Sequence, residues 1–190
     1  DLVRSRGLGD VYKRQAEYEV TSEIRSQDLL FGNVVKLTGQ SYGHVAADPQ
    51  ESGAALEDDT LSSGQSAWVV LQWQALEPIA NDSLKVSLFL TDETGHLAGQ
   101  VDDRLVGDFY LIDTFWKTGQ PASSYHILPS LPAIPPGRYT INLAVYDSNT
   151  LKRYPVVDPA TGQVASTARL GSIEVTRPLT TPVIAPQVDL

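Results

Sequence analysis

The chain has 190 residues, enough for one domain with a substantial core, and its 42% apolar and 19% charged content is that of a soluble globular protein. Its 23 acidic residues outweigh 14 basic ones, and the net charge of −9 argues against nucleic acid as a partner, because such a surface repels phosphate. Cysteine is absent, which excludes disulfides, thiolate metal sites and cysteine nucleophiles together, and no apolar run is long enough to span a bilayer.

Residues 1–15 carry neither the alternation of a strand nor the apolar stripe of a helix, and Arg4, Arg6, Lys13 and Arg14 fall among them. The run resembles a translated adapter of environmental shotgun reads, so it is expected to be a disordered leader foreign to the fold. Residues 16–28 read as a linker or a frayed first strand, and residues 29–177 as the folded domain. A strand over residues 34–38 leads into Gly39-Gln40-Ser41-Tyr42-Gly43, which spells the G-x-S-x-G nucleophile elbow. That elbow needs a helix after the serine, and Pro49 and Gly53 make the following stretch a poor one. The two glycines are therefore expected to bend an edge strand.

Period-2 alternation dominates from residue 30 onward and is seen well at residues 67–75. Ala67, Val69, Leu71, Trp73 and Ala75 form an apolar face, opposite the mixed face of Trp68, Val70, Gln72 and Gln74. Leu84, Val86, Leu88 and Leu90 form the next apolar face. Asp92-Glu93-Thr94-Gly95 then turns into a short strand at residues 97–101. Pro135-Pro136-Gly137 launches a strand in which Tyr139, Ile141, Leu143 and Val145 alternate with Thr140, Asn142, Ala144 and Tyr146. A tyrosine placed there is expected to bond back to upstream backbone, the tyrosine corner of immunoglobulin-like sandwiches. Asp158-Pro159-Ala160-Thr161-Gly162 is expected to join residues 154–157 to residues 168–175 as a last hairpin. Weak helical turns are expected near residues 53–57 and 105–109, and residues 178–190 read as a Pro/Thr-rich linker. The fold class expected is all-β: an antiparallel immunoglobulin- or fibronectin-III-like sandwich of about seven to nine strands, with Trp73, Gly137 and Tyr139 in structural roles.

Residues 101–125 are too long for a plain hairpin, and such a loop usually has a task. It carries Phe109, Tyr110, Phe115 and Trp116 among Asp102, Asp103, Asp108 and Asp113. Aromatic faces beside carboxylates suit sugars, so Phe109, Tyr110, Asp113 and Trp116 are the candidate ligand-binding residues. The competing expectation is that the rings plug one end of the sandwich. His44, His96 and His126 lack zinc-site spacing, and the pairs Asp58-Asp59 and Asp102-Asp103 lack a calcium loop, so neither metal nor cofactor is expected. Asn81-Asp82-Ser83 fits the glycosylation triplet formally.

Several pieces occur together in order: Phe31-Gly32 before Leu37-Thr38-Gly39, Leu71-Gln72-Trp73-Gln74-Ala75 with Pro78, residues 88–95, Tyr110 with Trp116 and Gly119, Pro136-Gly137-Arg138-Tyr139, and Val145-Tyr146-Asp147 before Thr150 and Arg153. Over residues 30–156 this pattern resembles a β-sandwich domain on the C-terminal side of bacterial membrane glycosyltransferases that look like dolichyl-phosphate-mannose–protein mannosyltransferases. It departs from them at Tyr110-Leu111-Ile112, where Tyr-Pro-Thr is expected, and in the extra hairpin after Arg153. The resemblance implies an accessory domain on the extracytoplasmic face of a bacterial membrane, partnered by glycan or by the membrane part of its parent chain, with no catalytic residue of its own. The alternatives are a carbohydrate-binding module using the aromatic loop and a structural or adhesive sandwich in a tandem array. A buried serine, histidine and carboxylate within hydrogen-bond reach would refute the non-catalytic expectation.

Overall fold

The structure, a computed structural model, describes residues 24–44, 60–79, 83–107 and 116–177. The leader, the C-terminal linker, the turn near residue 55, Asp58-Asp59 and Asn81 lie outside the described residues.

Eleven strands are described: β1 (Arg25–Phe31), β2 (Val35–His44), β3 (Thr60–Ser62), β4 (Ser66–Ala75), β5 (Leu84–Thr91), β6 (Leu97–Arg104), β7 (Pro121–Pro129), β8 (Gly137–Asp147), β9 (Val156–Val157), β10 (Val164–Ala165) and β11 (Ala168–Thr176). They form two sheets, ordered β10-β9-β1-β2-β4-β7 and β3-β11-β8-β5-β6. The all-β sandwich is as expected. The strand number exceeds seven to nine because β3, β9 and β10 are pieces of two or three residues, below what alternation can reveal. One pairing, β3 with β11, is parallel.

The alternation sorts as the sequence dictates. Val69, Leu71 and Trp73 from one sheet meet Val86, Leu88, Leu90, Ile141 and Leu143 from the other, all at most 1% exposed. Each such side chain contributes roughly 1.5–3 kcal/mol relative to exposure. The three residues between β1 and β2 turn at Gly32-Asn33, with φ of 56° and 64°, the doubly left-handed geometry of a type I′ turn, which the Val34 N–H closes on the Phe31 carbonyl at 3.0 Å. β1 starts at Arg25, so the sheet reaches into the stretch expected to be linker or frayed strand.

Three expectations need correction. The G-x-S-x-G segment lies wholly in β2, between β1 and β4, in the interior of its sheet and not at an edge. The turn at residues 158–163 closes the small β9–β10 hairpin, whereas β11 crosses to the other sheet and pairs with β8. Residues 105–107 form no helical turn. β6 belongs to one sheet and β7 to the other, so the segment joining them is not a hairpin connection.

A sandwich has open sides where strand edges could recruit other chains. At one such side the edge strands β6 and β7 lie against each other: Leu131 N–H donates to the Ala98 carbonyl at 2.8 Å, and Gly99 leaves room for the Pro129 carbonyl. Between the sheets, β2 sends Gln40 Nε2 to the Leu170 carbonyl at 2.9 Å and the Tyr42 hydroxyl to the Ser172 carbonyl at 3.4 Å, both on β11.

Candidate functional site

The β6–β7 seam holds a connected buried polar relay. Register places Leu71 opposite Ser124 and Val69 opposite His126, so Ser124 and His126 share the inward face of β7. Asp103 sits opposite the buried Val86 and therefore points inward from β6. The Trp73 indole N–H donates to Ser124 Oγ at 2.8 Å, Ser124 Oγ lies 2.8 Å from His126 Nε2, and His126 Nδ1 lies 3.0 Å from Asp103 Oδ2. Proton order follows from the acceptor at one end. The ionised Asp103 only accepts, so Nδ1 of neutral His126 carries the proton and donates to it; Nε2 then accepts from the Ser124 hydroxyl, whose oxygen accepts the indole N–H.

Serine, histidine and carboxylate at these distances have the connectivity of an acyl-transfer triad. Connectivity alone thus meets the criterion set against the non-catalytic expectation, and that criterion was too coarse, since this arrangement lacks what a nucleophile needs. Ser124 is 0% exposed, its oxygen is occupied by the Trp73 N–H, and it faces the core between the sheets. A substrate carbonyl has no path to Oγ. What the relay does is satisfy four buried polar atoms while tying edge strand to edge strand, with Asp103 the half-exposed end at 42%. Ser41, the serine of the G-x-S-x-G letters, is no better placed: it is buried in mid-strand opposite Val70, where a sharp turn would be needed. The glycines there serve packing, since a Cβ at Gly43 would stand 2.5 Å from the Trp68 ring and one at Gly39 2.8 Å from Gln72 Oε1.

Of the four expected ligand-binding residues, Phe109, Tyr110 and Asp113 lie outside the described residues. Trp116 is 6% exposed, joins the core cluster and packs on Gly107. Its burial is what a plug at the sandwich end requires and withholds the ring from stacking on a sugar. Asp102 and Asp103 face opposite sides of β6, Asp102 taking Gln100 Nε2 at 2.6 Å and the Tyr146 hydroxyl at 3.3 Å, so they do not converge on a cation. Among the described residues no group of three or more His, Asp or Glu side chains could hold a metal.

The structural assignments can be read directly. Tyr139 donates its hydroxyl to the Pro135 carbonyl at 2.8 Å, closing the corner that Gly137 opens at φ +154°. Burial, then the Asp92 charge, raises the Tyr139 pKa. Trp73 is fully buried and meets Phe31 edge-on at 5.7 Å. Three turns are pinned by aspartates. Asp92 is drawn down to about 2, first by the Thr94 hydroxyl and then by the His96 N–H; Asp147 is lowered first by Ser83, and Asp158 first by Thr161. A shallow cleft between Asp92 and Tyr139 is lined by these committed groups.

One surface was only half legible in the sequence. On the outer face of the six-stranded sheet, register aligns Gly43, Trp68 and Ile127 in one row, Ser41, Val70 and Tyr125 in the next, and Gly39, Gln72 and Ser123 in a third. None of these positions is charged. Tyr125 and Ile127 are each 38% exposed and Trp68 and Gln72 are half-buried, but Ser41 and Val70 in the middle row are buried, at 4% and 5%, as are Gly39 and Gly43. Alternation put Trp68 and Gln72 on a mixed face. The signal for Tyr125 and Ile127 is the same alternation in Ser124, His126 and Leu128, which straddles the end of the 101–125 stretch read as a loop.

No protein-family model matches the chain, and no curated protein matches its sequence. Solved structures do share its shape. The C-terminal domain of Wzt superposes with a TM-score of 0.53 at 9% identity, over 91% of this chain and 95% of that one. The CARDB domain of the PF1109 protein from Pyrococcus furiosus, solved in complex with di-metal ions, gives 0.36 at 16% identity over 77% and 97%. The ApaA protein of Bordetella pertussis gives 0.31 at 12% identity over 83% and 100%. At such identities the first likeness speaks for the sandwich fold alone.

Proposed function

We propose that the chain is a non-catalytic accessory domain of a cell-envelope protein, which holds a ligand or a neighbouring part of its own parent chain and performs no bond chemistry. The sealing of Ser124 carries this reading: the one aligned serine, histidine and carboxylate among the described residues has its nucleophile in the core, at 0% exposure and already hydrogen-bonded by Trp73. The sequence resemblance supports a membrane glycosyltransferase as the parent, with this domain on the extracytoplasmic face of a bacterial membrane and glycan or the parent's membrane part as partner.

The test is an assay of the purified chain on activated esters, amides and glycosides beside Ser124→Ala. Rates equal to buffer for both proteins are expected. Turnover that Ser124→Ala abolishes would overturn the proposal. For location, recovering the parent reading frame and probing whole cells with protease should find the domain cleavable from outside; complete protection until the cells are lysed would refute that placement.

A further inference from the structure

We infer that one end of the sandwich is a lipid-facing tip, at which Leu97 and the loop after β7 dip into the surface of a bilayer. This deepens the membrane placement proposed above and rests on it. Leu97 and Leu131 are each 51% exposed, and Pro132 and Ala133 stand exposed in the turn that follows. The bond from the Leu131 N–H to the Ala98 carbonyl brings the two leucine-bearing segments side by side. The loop is held stiffly at both ends. Gly64 N–H donates to Ser130 Oγ at 3.0 Å, Ser130 Oγ donates to the Gln65 carbonyl at 2.7 Å, and the Tyr139 hydroxyl holds the Pro135 carbonyl at 2.8 Å. Between these anchors Ala133 is kept at φ +62°, a left-handed conformation that alanine seldom adopts. The anchors hold the leucines outward, where a slack loop would fold them back onto the domain.

Topology indicates what the tip faces. Pro129, at the close of β7, lies opposite Ser66, and the next residue, Ala67, lies opposite His44 at the close of β2. β1 enters from this same end, since Arg25 pairs with Gln40, and β11 leaves at it, since Val175 pairs with Gly137 at the start of β8. Both connections to a parent chain are therefore on the side of the tip, and a parent anchored in a membrane turns the tip toward the lipid. Hot spots of protein partners favour Trp, Tyr and Arg over leucine, and Leu97, Leu131, Pro132 and Ala133 include none of the three. Acyl chains accept leucine readily. The adjoining β5–β6 turn bears Asp92 and Glu93 across the cleft from Pro135, so a zwitterionic surface suits this end and an anionic one does not. The exposed halves of two leucines amount to about one whole side chain, about a ten- to hundredfold gain in partition. That gain cannot hold a free protein on a bilayer, yet it suffices to orient one already tethered there.

The experiment uses the whole chain, tethered through an N-terminal histidine tag to phosphatidylcholine vesicles that carry a nickel-chelating lipid. Because the chain has no cysteine, Pro132→Cys places a single nitrobenzoxadiazole label at the tip. Leu151→Cys places the same label at the other end, where Leu151 follows the close of β8 and is 74% exposed. The label at 132 should shift to the blue and be quenched by bromine on the acyl chains, while the label at 151 should do neither. Adding Leu131→Glu or Leu97→Glu, both at exposed positions that burial does not constrain, should abolish the shift and the quenching at 132. A label at 132 that stays aqueous, equal quenching at both ends, insertion unaffected by both glutamates, or insertion that requires added phosphatidylglycerol would overturn the inference. So would a dimer in sedimentation that Leu131→Glu dissolves, since a second copy would then cover the tip. An aqueous label at 132 together with cleavage of the domain from outside whole cells removes the lipid contact and leaves the membrane placement standing.

Discussion

Removing the Ser124 hydroxyl should be among the most damaging single-atom changes in the molecule. Ser124→Ala strips the acceptor from the Trp73 indole N–H and the donor from His126 Nε2, both in side chains at most 2% exposed. A buried polar atom left without a partner costs about 1–3 kcal/mol. Two such atoms give about 2–6 kcal/mol, and local relaxation places the expectation near 3 kcal/mol, a large share of the roughly 5–15 kcal/mol that a domain of this kind has in total. The decisive form is a double-mutant cycle with Trp73→Phe, followed by urea unfolding. Trp73→Phe removes the donor and some ring contact; once it is gone, Ser124→Ala orphans one atom fewer. The double variant should then be more stable than the sum of the singles by about 1–2 kcal/mol. Additivity within about 0.5 kcal/mol, or a neutral Ser124→Ala, would refute the relay as a seam between the sheets.

Other expectations follow from the same structure. Tyr139→Phe, which deletes the hydroxyl held by the Pro135 carbonyl, should cost about 1 kcal/mol by urea melt, and no loss would show the corner to be packing alone. Gly99→Val sets a side chain against the Pro129 carbonyl and should destabilise by about 1–3 kcal/mol, speeding hydrogen exchange along β6 and β7 before other strands; uniform exchange would contradict the seam. Asp92, Asp147 and Asp158 have lowered folded-state pKa values, so the stability they contribute is complete above the ordinary 3.8 and is lost as pH falls toward about 2, the value for Asp92. Urea midpoints should fall through that window, and Asp92→Asn should flatten the slope; an unchanged slope in this variant would refute the assignment.

Much of the architecture was legible because strands two residues out of phase with solvent announce themselves. The β4, β5 and β8 faces were assigned correctly residue by residue, and the Pro-Pro-Gly corner fixed the role of Tyr139. What escaped was of two kinds. Pieces as short as Val156–Val157 carry no period, and their partners are chosen by tertiary proximity, so the final hairpin was paired with the wrong strand. The relay escaped because its members come from three strands. Asp103, Ser124 and Trp73 meet only once two sheets are stacked, and a Ser-x-His pair on one strand is too common to single out. β7 itself was lost among the neighbouring aromatic residues, and Tyr125 with it. The G-x-S-x-G letters misled only in suggesting an edge strand, since two glycines inside an interior strand serve the Trp68 and Gln72 side chains lying above them.

The account stands on Ser124 being unreachable in the folded state. Incubating the native chain with a fluorophosphonate probe and reading its intact mass puts this to the test. An unmodified mass is predicted, the same as for Ser124→Ala. One adduct per chain, mapped to Ser124 and absent from Ser124→Ala, would contradict it.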